Sequence, residues 1–372
     1  MAEPLSYPFP VPRESPFPVT NIPFGIFSTE TKKDARPGVA IGDYVLDLRA
    51  LVNAGYLPET KSSVVALRTA LAASTLNAFA ALPRELRTQF RKDIQAMIRN
   101  EHSPLWHDRN SLSAFVVQRN DVTLHLPMSI GGFTDFMCAY EHVHTMGAFS
   151  GHDEVPSNFY HIPLAYNGRA SSVVISGVPI IRPWGYIPTP DGPKFQPTQR
   201  MDFEVEMGIF IAKPLDIGEA VPAAQARDHI FGMVLLNDWS ARDIQFYEMV
   251  PLGPFNGKAC GTSISPWIVT LDALEEAGAV IAVEAGRLPG GKWTKDPFLA
   301  HSRDVSVQVT THVSSMAAQK PSFPQQCNRI PMLTCILHKG SIPNHCLHKA
   351  TSNTFTGLLY RWSPIRAPLA VV

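Results

Sequence analysis

The chain has 372 residues, of which 45% are hydrophobic and 17% charged, and its formal net charge is zero. This length and composition allow a buried core in one large domain or two ordinary ones, and the zero charge gives no electrostatic reason to expect a nucleic acid or an anionic membrane as partner. No apolar run is long enough to predict a transmembrane helix, and five scattered cysteines do not suggest a disulfide framework. We therefore expect a cytoplasmic globular enzyme or binding protein.

Short apolar runs separated by 33 prolines and 24 glycines predict many short strands joined by turns. Residues 25–52 predict two strands and then the start of a helix. Residues 59–100 predict helices from apolar residues at three- and four-residue spacing, interrupted at Leu82-Pro83. We place the end of a small N-terminal domain near Arg119 and expect the strand VTLHLP to open a larger domain. Its further predicted strands are SSVVISG, DFEVEMGIFIA, HIFGMVLLND and SPWIVTL.

The segment around Asp135 predicts a helix with Thr134 as its N-cap. In such a helix, Asp135 and His142 lie two turns apart on one face, an arrangement that suits an acceptor or metal ligand next to a general base. The alternative is a capping aspartate and a surface histidine, which is the more common arrangement for a segment like this taken alone.

Three further carboxylates lie on predicted strands. The strand period of two puts Glu204 and Glu206 on one face, and the strand continues into an apolar stretch. A solvated strand face is the alternative, but two carboxylates beside a core repel each other unless a cation lies between them. Asp238 ends an apolar strand immediately before a predicted helix, a position at which a carboxylate is well placed to face a cleft.

The next helix and loop contain polar donors. Arg242 and Gln245 are three residues apart and share a helix face, and Lys258 lies in a glycine-rich loop. That loop is not a phosphate-binding P-loop, because the P-loop pattern needs one more residue and a Ser or Thr after the lysine.

Taken together, these residues suggest metal-assisted hydrolysis. The carboxylates of Asp135, Glu204, Glu206 and Asp238 are hard oxygen ligands, which suit Mg²⁺ or Ca²⁺ and not zinc. The helix and loop donors could stabilise a developing oxyanion, and His142 could act as a base.

Several motifs resemble, in order along the chain, the fumarylacetoacetate hydrolase family. They are FPVTNIPFGIFST, TDF-x6-H, YNGRASSVVISG-x-PI, DFEVEMG, FGMVLLNDWSARDIQ-x2-E and VPLGPF-x-GK. The resemblance covers about residues 15 to 315, and the motifs NDWSARDIQ and PLGPFxGK are highly specific.

The resemblance implies a mainly β (α+β) fold with a small SH3-like N-terminal barrel and helices over residues 15–118. A larger mixed β-sandwich or roll with the catalytic site would follow over residues 119–315, and members are usually homodimers. The implied reaction is hydrolysis of a carbon–carbon bond in the small-molecule β-diketo acid 4-fumarylacetoacetate, giving fumarate and acetoacetate in tyrosine and phenylalanine catabolism.

The resemblance also implies a role for each motif residue. It assigns a divalent metal, Ca²⁺ or Mg²⁺, to Asp135, Glu204, Glu206 and Asp238, and a second, Mg²⁺-associated cluster to Lys258 and Thr262. His142 corresponds to the base that activates water. Substrate binding and oxyanion stabilisation correspond to Arg242, Gln245 and Lys258, and Tyr166 corresponds to a substrate-contacting tyrosine.

The chain departs from the family pattern in three places. Met137 replaces a substrate-binding tyrosine, and Ser150 stands where an arginine is expected. No acidic residue follows Asp304, so the glutamate that pairs with the base in the family is missing. We expect the tail, residues 316–372, to be truncated or divergent and disordered, and we hypothesise a shifted reading frame or mis-joined exon. The alternative functions are a related acylpyruvate or β-keto acid hydrolase or decarboxylase, or a catalytically impaired paralogue.

Overall fold

The computed structural model describes residues 7–56, 61–107, 109–137, 154–160 and 164–282, residues 143, 144 and 147, and six short strand segments after residue 302. None of the described helices has the length and apolar character needed to cross a membrane.

The N-terminal part is a five-stranded antiparallel sheet in the order β4-β3-β2-β1-β5. Its strands are β1 (Phe24–Thr29), β2 (Arg36–Ile41), β3 (Tyr44–Asp47), β4 (Val116–Gln118) and β5 (Val122–His125). The expectation of two strands before the first helix is wrong by one strand, because Tyr44–Asp47 adds a third. The strand VTLHLP, expected to open the larger domain, pairs with β1 of this sheet instead. The domain limits themselves stay predictions.

Six helices pack with this sheet. They are α1 (Leu48–Asn53), α2 (Lys61–Leu71), α3 (Asn77–Ala80), α4 (Arg84–Arg99), α5 (Pro104–His107) and α6 (Arg109–Phe115). Pro83 is the N-cap of α4, because proline cannot continue a helix but tolerates its first turn. The predicted helical region and its interruption are therefore confirmed.

The larger part is built from short strands. These are β6 (Thr134–Phe136), β7 (Ala165–Asn167), β8 (Val173–Ile175), β9 (Ile180–Ile181), β10 (Trp184–Ile187), β11 (Lys194–Pro197), β12 (Met201–Asp202), β13 (Val205–Ile211), β14 (Ile230–Asp238), β15 (Ser240–Ala241), β16 (Thr262–Ile264), β17 (Val269–Thr270) and β18 (Val280–Ala282). The helices between them are α7 (Ala223–His229), α8 (Arg242–Glu248) and α9 (Leu271–Glu276).

The central sheet of this part has the order β13-β14-β16-β8, and β17 also pairs with β14. Only the pairing of β16 with β8 is parallel in this sheet. The remaining described strands are β19 (Arg303–Val305), β20 (Thr310–Val313), β21 (Arg329–Ile330), β22 (Thr334–Ile336), β23 (Leu358–Arg361) and β24 (Ala367–Pro368). The predicted α+β class is confirmed.

Two predicted elements of the larger part also differ in the structure. The segment Thr134–Phe136 is a strand paired with β7, not the start of a helix, because a threonine and an aromatic residue flanking Asp135 fit a strand and their partner lies far along the chain. The predicted continuous strand over DFEVEMGIFIA is divided between β12 and β13, and Glu204 lies in the break.

The two parts share one core. The Phe24 ring lies 5.1 Å from Phe79 and 6.2 Å from Phe231 on β14, measured between ring centroids. The backbones of Phe24 and Ile268 exchange two hydrogen bonds, of 2.9 and 2.7 Å. The strand β14, which carries Asp238 at its end, is therefore held against the N-terminal sheet.

Candidate functional site

Four carboxylates from separate elements meet at the end of β14. Each contributes an oxygen that lies within 4.8 Å of an oxygen of every other. The four residues are Asp135, Glu204, Glu206 and Asp238. Asp135 and Asp238 are buried. The structure thus brings together the four side chains that the sequence predicts as metal ligands.

Strand register brings these side chains together. Asp238 ends β14 opposite Thr262 of β16, and Glu206 of β13 lies opposite Leu236 of β14. Asp135 lies in β6 opposite Tyr166 of β7. The expected helix face for Asp135 is therefore replaced by a strand pairing that places the carboxylate beside Tyr166.

Asn237 holds Glu204 in the break between β12 and β13. Its side-chain oxygen accepts the backbone N–H of Glu204 at 3.2 Å, and the N–H of Asp238 donates to the Glu204 carbonyl at 3.1 Å. Sequence reasoning missed this role of Asn237. Its position beside a strand-end carboxylate is the only signal, and that position does not indicate what the amide contacts.

The pKa values of the four carboxyl groups reflect their burial and their mutual repulsion. Burial and the neighbouring carboxylates raise the pKa of Glu206 well above its usual value. Burial also raises the pKa of Asp135, and it raises that of Asp238 to about 7, despite the opposing charge of Lys258. Glu204 behaves differently, because the charges of Lys258 and Arg242 outweigh its burial and lower its pKa to about 2.

Lys258 is the cation inside the cluster. Its buried ammonium donates to Glu204 Oε2 at 2.5 Å and also to Asp238 Oδ2. Burial opposes the charge of Lys258, but the two carboxylates raise its pKa overall. The loop before it passes close to α8, since a side chain at Gly257 would place its Cβ 2.6 Å from the backbone nitrogen of Gln245.

Arg242 forms the side of the cluster nearest α8. It donates through Nε to Asp202 at 2.9 Å and through Nη1 to Glu204 at 2.7 Å and Gln245 at 3.1 Å. The prediction that Arg242 and Gln245 share a helix face is confirmed. The contribution of Asp202, which fixes the guanidinium from the opposite side, is a second contact that sequence reasoning missed.

Tyr166 and Thr262 complete the predicted set in the described part of the chain. The Tyr166 hydroxyl donates to Asp135 and lies 3.4 Å from Asp238 Oδ2, and burial together with these carboxylates raises its pKa. Thr262 Oγ1 lies 3.5 Å from Asp238 Oδ1. A cavity of about 160 Å³ opens beside Tyr166, Asp238 and Lys258.

The predicted base cannot be placed relative to the cluster from the described residues. His142 and Ser150 lie outside the described residues, as do the side chains of the tail. Met137, which replaces the expected tyrosine, donates its backbone N–H to the carbonyl of Leu164 at 2.7 Å.

The donor set fits a divalent cation. Four carboxylates that share a space of 4.8 Å repel one another, and the charges of Lys258 and Arg242 balance only part of their charge. A divalent ion among oxygen ligands supplies the remainder. The acidic cluster is therefore compatible with a divalent metal site.

Comparison with known proteins gives matches over most of the chain. Residues 132–332 match the family model described as fumarylacetoacetate hydrolase C-terminal, and residues 20–127 match fumarylacetoacetase N-terminal. A fumarylacetoacetase of Emericella nidulans is 40% identical over 360 residues, or 89% of this chain and 81% of that protein. One of Caenorhabditis elegans is 42% identical over 305 residues, covering 81% and 71%. A solved fumarylacetoacetate hydrolase of Exiguobacterium antarcticum is 18% identical, with a TM-score of 0.42 and coverage of 78% and 71%.

Proposed function

The chain belongs to the fumarylacetoacetate hydrolase family, and from this premise we propose that it hydrolyses 4-fumarylacetoacetate to fumarate and acetoacetate. The observation that carries this proposal is the meeting of four carboxylates with Lys258 and Arg242 beside an open cavity. Its fumarylacetoacetase relatives, about 40% identical, support the choice of substrate. It is thus a hydrolase that acts on carbon–carbon bonds in ketonic substances.

We propose that the four carboxylates hold Mg²⁺ or Ca²⁺. Bound there, the ion would supply a Lewis acid for the ketone oxygens of the substrate, the electron sink that cleavage of a carbon–carbon bond requires. Lys258 and Thr262 lie against Asp238 and would fix that ligand in place. The choice between the two ions depends on ligand number and geometry.

The donors around the cluster suit stabilisation of an oxyanion. The side-chain oxygen of Gln245 accepts a hydrogen bond from Arg242. The amide N–H groups of Gln245 can therefore donate to a substrate oxygen. Lys258 is charged and buried, which strengthens its interaction with developing negative charge. Tyr166 lines the cavity and can contact the substrate directly.

The reaction needs a base to activate water, and His142 is the residue we propose for it. His142 takes a proton from water, whose oxygen adds to the ketone carbon of the substrate. The carbon–carbon bond then breaks, its electron pair stays with the acetoacetate fragment, and that fragment takes up the proton. The products, fumarate and acetoacetate, together contain the atoms of substrate and water.

The decisive experiment follows the loss of fumarylacetoacetate absorbance with added Mg²⁺ or Ca²⁺. We expect turnover by the wild-type protein, loss of turnover with a chelator, and at least a hundredfold lower kcat in His142→Ala, since positioned bases contribute about 10²–10⁴-fold. Equal rates for wild type and variant would refute the role of His142. Turnover of an acylpyruvate but not of fumarylacetoacetate would refute the substrate.

We also propose a cytoplasmic homodimer. The hairpin of β10 and β11 exposes Trp184, Tyr186 and Phe195 by more than half each, with ring centroids 5.5 to 5.8 Å apart. Exposed aromatic groups of this kind favour a protein interface. Light scattering after size exclusion tests the proposal, and a mass of one chain at micromolar concentration would contradict it.

A further inference from the structure

The cavity beside the acidic cluster has a cation in its wall that the proposed mechanism does not use. Phe133, Pro254 and Phe255 form apolar parts of the wall, Asp238 and Lys258 line it from the cluster, and Arg169 completes it. A planar, unsaturated carbon chain that ends in a carboxylate matches this combination of apolar surface and positive charge.

The two cations of the acidic cluster, of which Lys258 also lines the cavity, already have carboxylate partners. Lys258 binds Glu204 and Asp238, and Arg242 binds Asp202 and Glu204. The guanidinium of Arg169, in contrast, makes no ion pair or side-chain hydrogen bond with the described residues, and it is exposed. Among these three cations, Arg169 is the one whose charge remains available to a ligand.

The backbone that carries Arg169 is held firmly at the cavity. Gly168 donates to the carbonyl of Phe133 at 2.8 Å, and a Cβ at Gly168 would lie 2.2 Å from the Phe133 ring, so only glycine fits this approach. Ser172 donates to the carbonyl of Arg169 through its N–H at 3.3 Å and its hydroxyl at 3.1 Å. The loop therefore fixes the backbone of Arg169, which follows the end of strand β7 by two residues and Tyr166 by three.

We propose that Arg169 binds the terminal carboxylate of the unsaturated arm of the substrate, the arm that leaves as fumarate. A guanidinium binds a carboxylate through two parallel hydrogen bonds, which fixes direction as well as charge. Phe133 and Phe255 contact the flat carbon chain, and the ketone end of the substrate then lies toward Asp238 and Lys258. Arg169 thereby favours substrates that carry a second carboxylate at the end of this arm over β-diketo acids whose arm ends in an uncharged group. The assignment of the arm rests on the proposed function.

Binding of the product fumarate tests the subsite without requiring turnover. Calorimetric titration of the full chain in Mg²⁺ compares wild type, Arg169→Gln and Arg169→Lys, with Arg99→Gln, an exposed arginine at the end of α4, as the matched control. We expect the Kd for fumarate to rise at least about tenfold in Arg169→Gln, less in Arg169→Lys, and not at all in the control. The Kd for acetoacetate, which lacks the unsaturated arm, should be unchanged in every variant.

Three results would overturn the proposal. They are a wild-type protein that does not bind fumarate, an Arg169→Gln protein that binds it equally well, and an equal loss of affinity for acetoacetate. Fumarylacetoacetate turnover is measured in parallel, and Arg169→Gln should raise its KM with little change in kcat. A protein that binds fumarate through Arg169 but does not cleave fumarylacetoacetate would refute the proposed function and leave the subsite standing.

Discussion

The ammonium of Lys258 lies 2.5 Å from Oε2 of Glu204 and also donates to Asp238, so one buried cation is shared by two carboxylates of the acidic cluster. Glu204 is nevertheless the cluster carboxyl whose pKa is lowered, whereas the pKa of Asp238 is raised to about 7. The difference follows from Arg242, which binds Glu204 at 2.7 Å and adds a second positive charge on that side.

Lys258→Met is expected to destabilise the metal-free protein by about 3 kcal/mol, because it removes the cation of a buried ion pair and leaves Asp238 without its positively charged partner. Saturating Mg²⁺ should then raise the Tm of the variant more than it raises that of the wild type, since the ion replaces the missing charge. Thermal unfolding in chelator and in Mg²⁺ measures both effects. Equal stability of variant and wild type in chelator would show that Lys258 does not balance the cluster.

Asn237→Ala tests whether the backbone of Glu204 must be held for metal binding. The variant loses the acceptor for the Glu204 N–H. We expect its affinity for a divalent metal to fall about tenfold, because loss of a group that orients a metal ligand typically lowers metal affinity by about 10- to 100-fold. Asn77→Ala is the matched control, because the side-chain oxygen of Asn77 likewise accepts a backbone N–H, that of Ser129, at 2.8 Å and away from the acidic cluster. An equal change in affinity in the two variants would contradict a positioning role for Asn237.

The elements that sequence patterns predict well are those determined locally. The break before α4 follows from Pro83, and β14 follows from an apolar run that ends at Asp238. The strand β6 could not be predicted in this way, because its extended form depends on pairing with Tyr166, 31 residues away.

The residues of the candidate site can be predicted from the sequence, but most of their contacts cannot. The four carboxylates can be selected from their positions in predicted elements, and the family resemblance assigns them the same role. Contacts such as those of Asp202 with Arg242 and of Asn237 with Glu204 depend on where a strand breaks, and no local pattern encodes that break. Arg169 is visible as a candidate only when the cavity around it is known.

The metal-free protein is expected to lose stability as the pH rises from about 4 to about 7. Folding raises the pKa of Asp238 from 3.8 to about 7, so in this window the folded state holds a proton that the unfolded state has released. Glu204 does not offset this trend, because its lowered pKa of about 2 makes its contribution constant above its unfolded value of 4.5.

Denaturant unfolding in chelator at several pH values measures this loss. Mg²⁺ should bind more tightly as the pH rises through the same window, because it displaces the protons held by the cluster. The matched comparison is Asp238→Asn, whose stability in chelator should vary less with pH. A metal-free wild type that gains stability between pH 5 and 7.5 would contradict the raised pKa.

Asp272 of α9 connects the larger part of the chain to α4. It accepts from Arg84 and from the hydroxyl of Thr88, each at 2.6 Å. Asp272→Ala should lower the free energy of unfolding by about 1 kcal/mol, since the Thr88 hydroxyl loses its acceptor and Arg84 keeps only its contacts with Glu275 and Asp228. Asp191→Ala, which breaks only an exposed pair with Lys194, should change it by less than about 0.5 kcal/mol.

The effect of Asp272→Ala should also depend on pH. Burial opposes ionisation of Asp272, but Thr88 and Arg84 outweigh it and lower its pKa, so its contribution is complete above the unfolded value of 3.8 and is lost as the pH falls through the folded value. The difference in unfolding free energy between wild type and Asp272→Ala should therefore be constant from pH 5 to 8 and shrink in stronger acid. A difference that instead grew on acidification would show that Asp272 stabilises the fold in its protonated form and not as a carboxylate paired with Arg84.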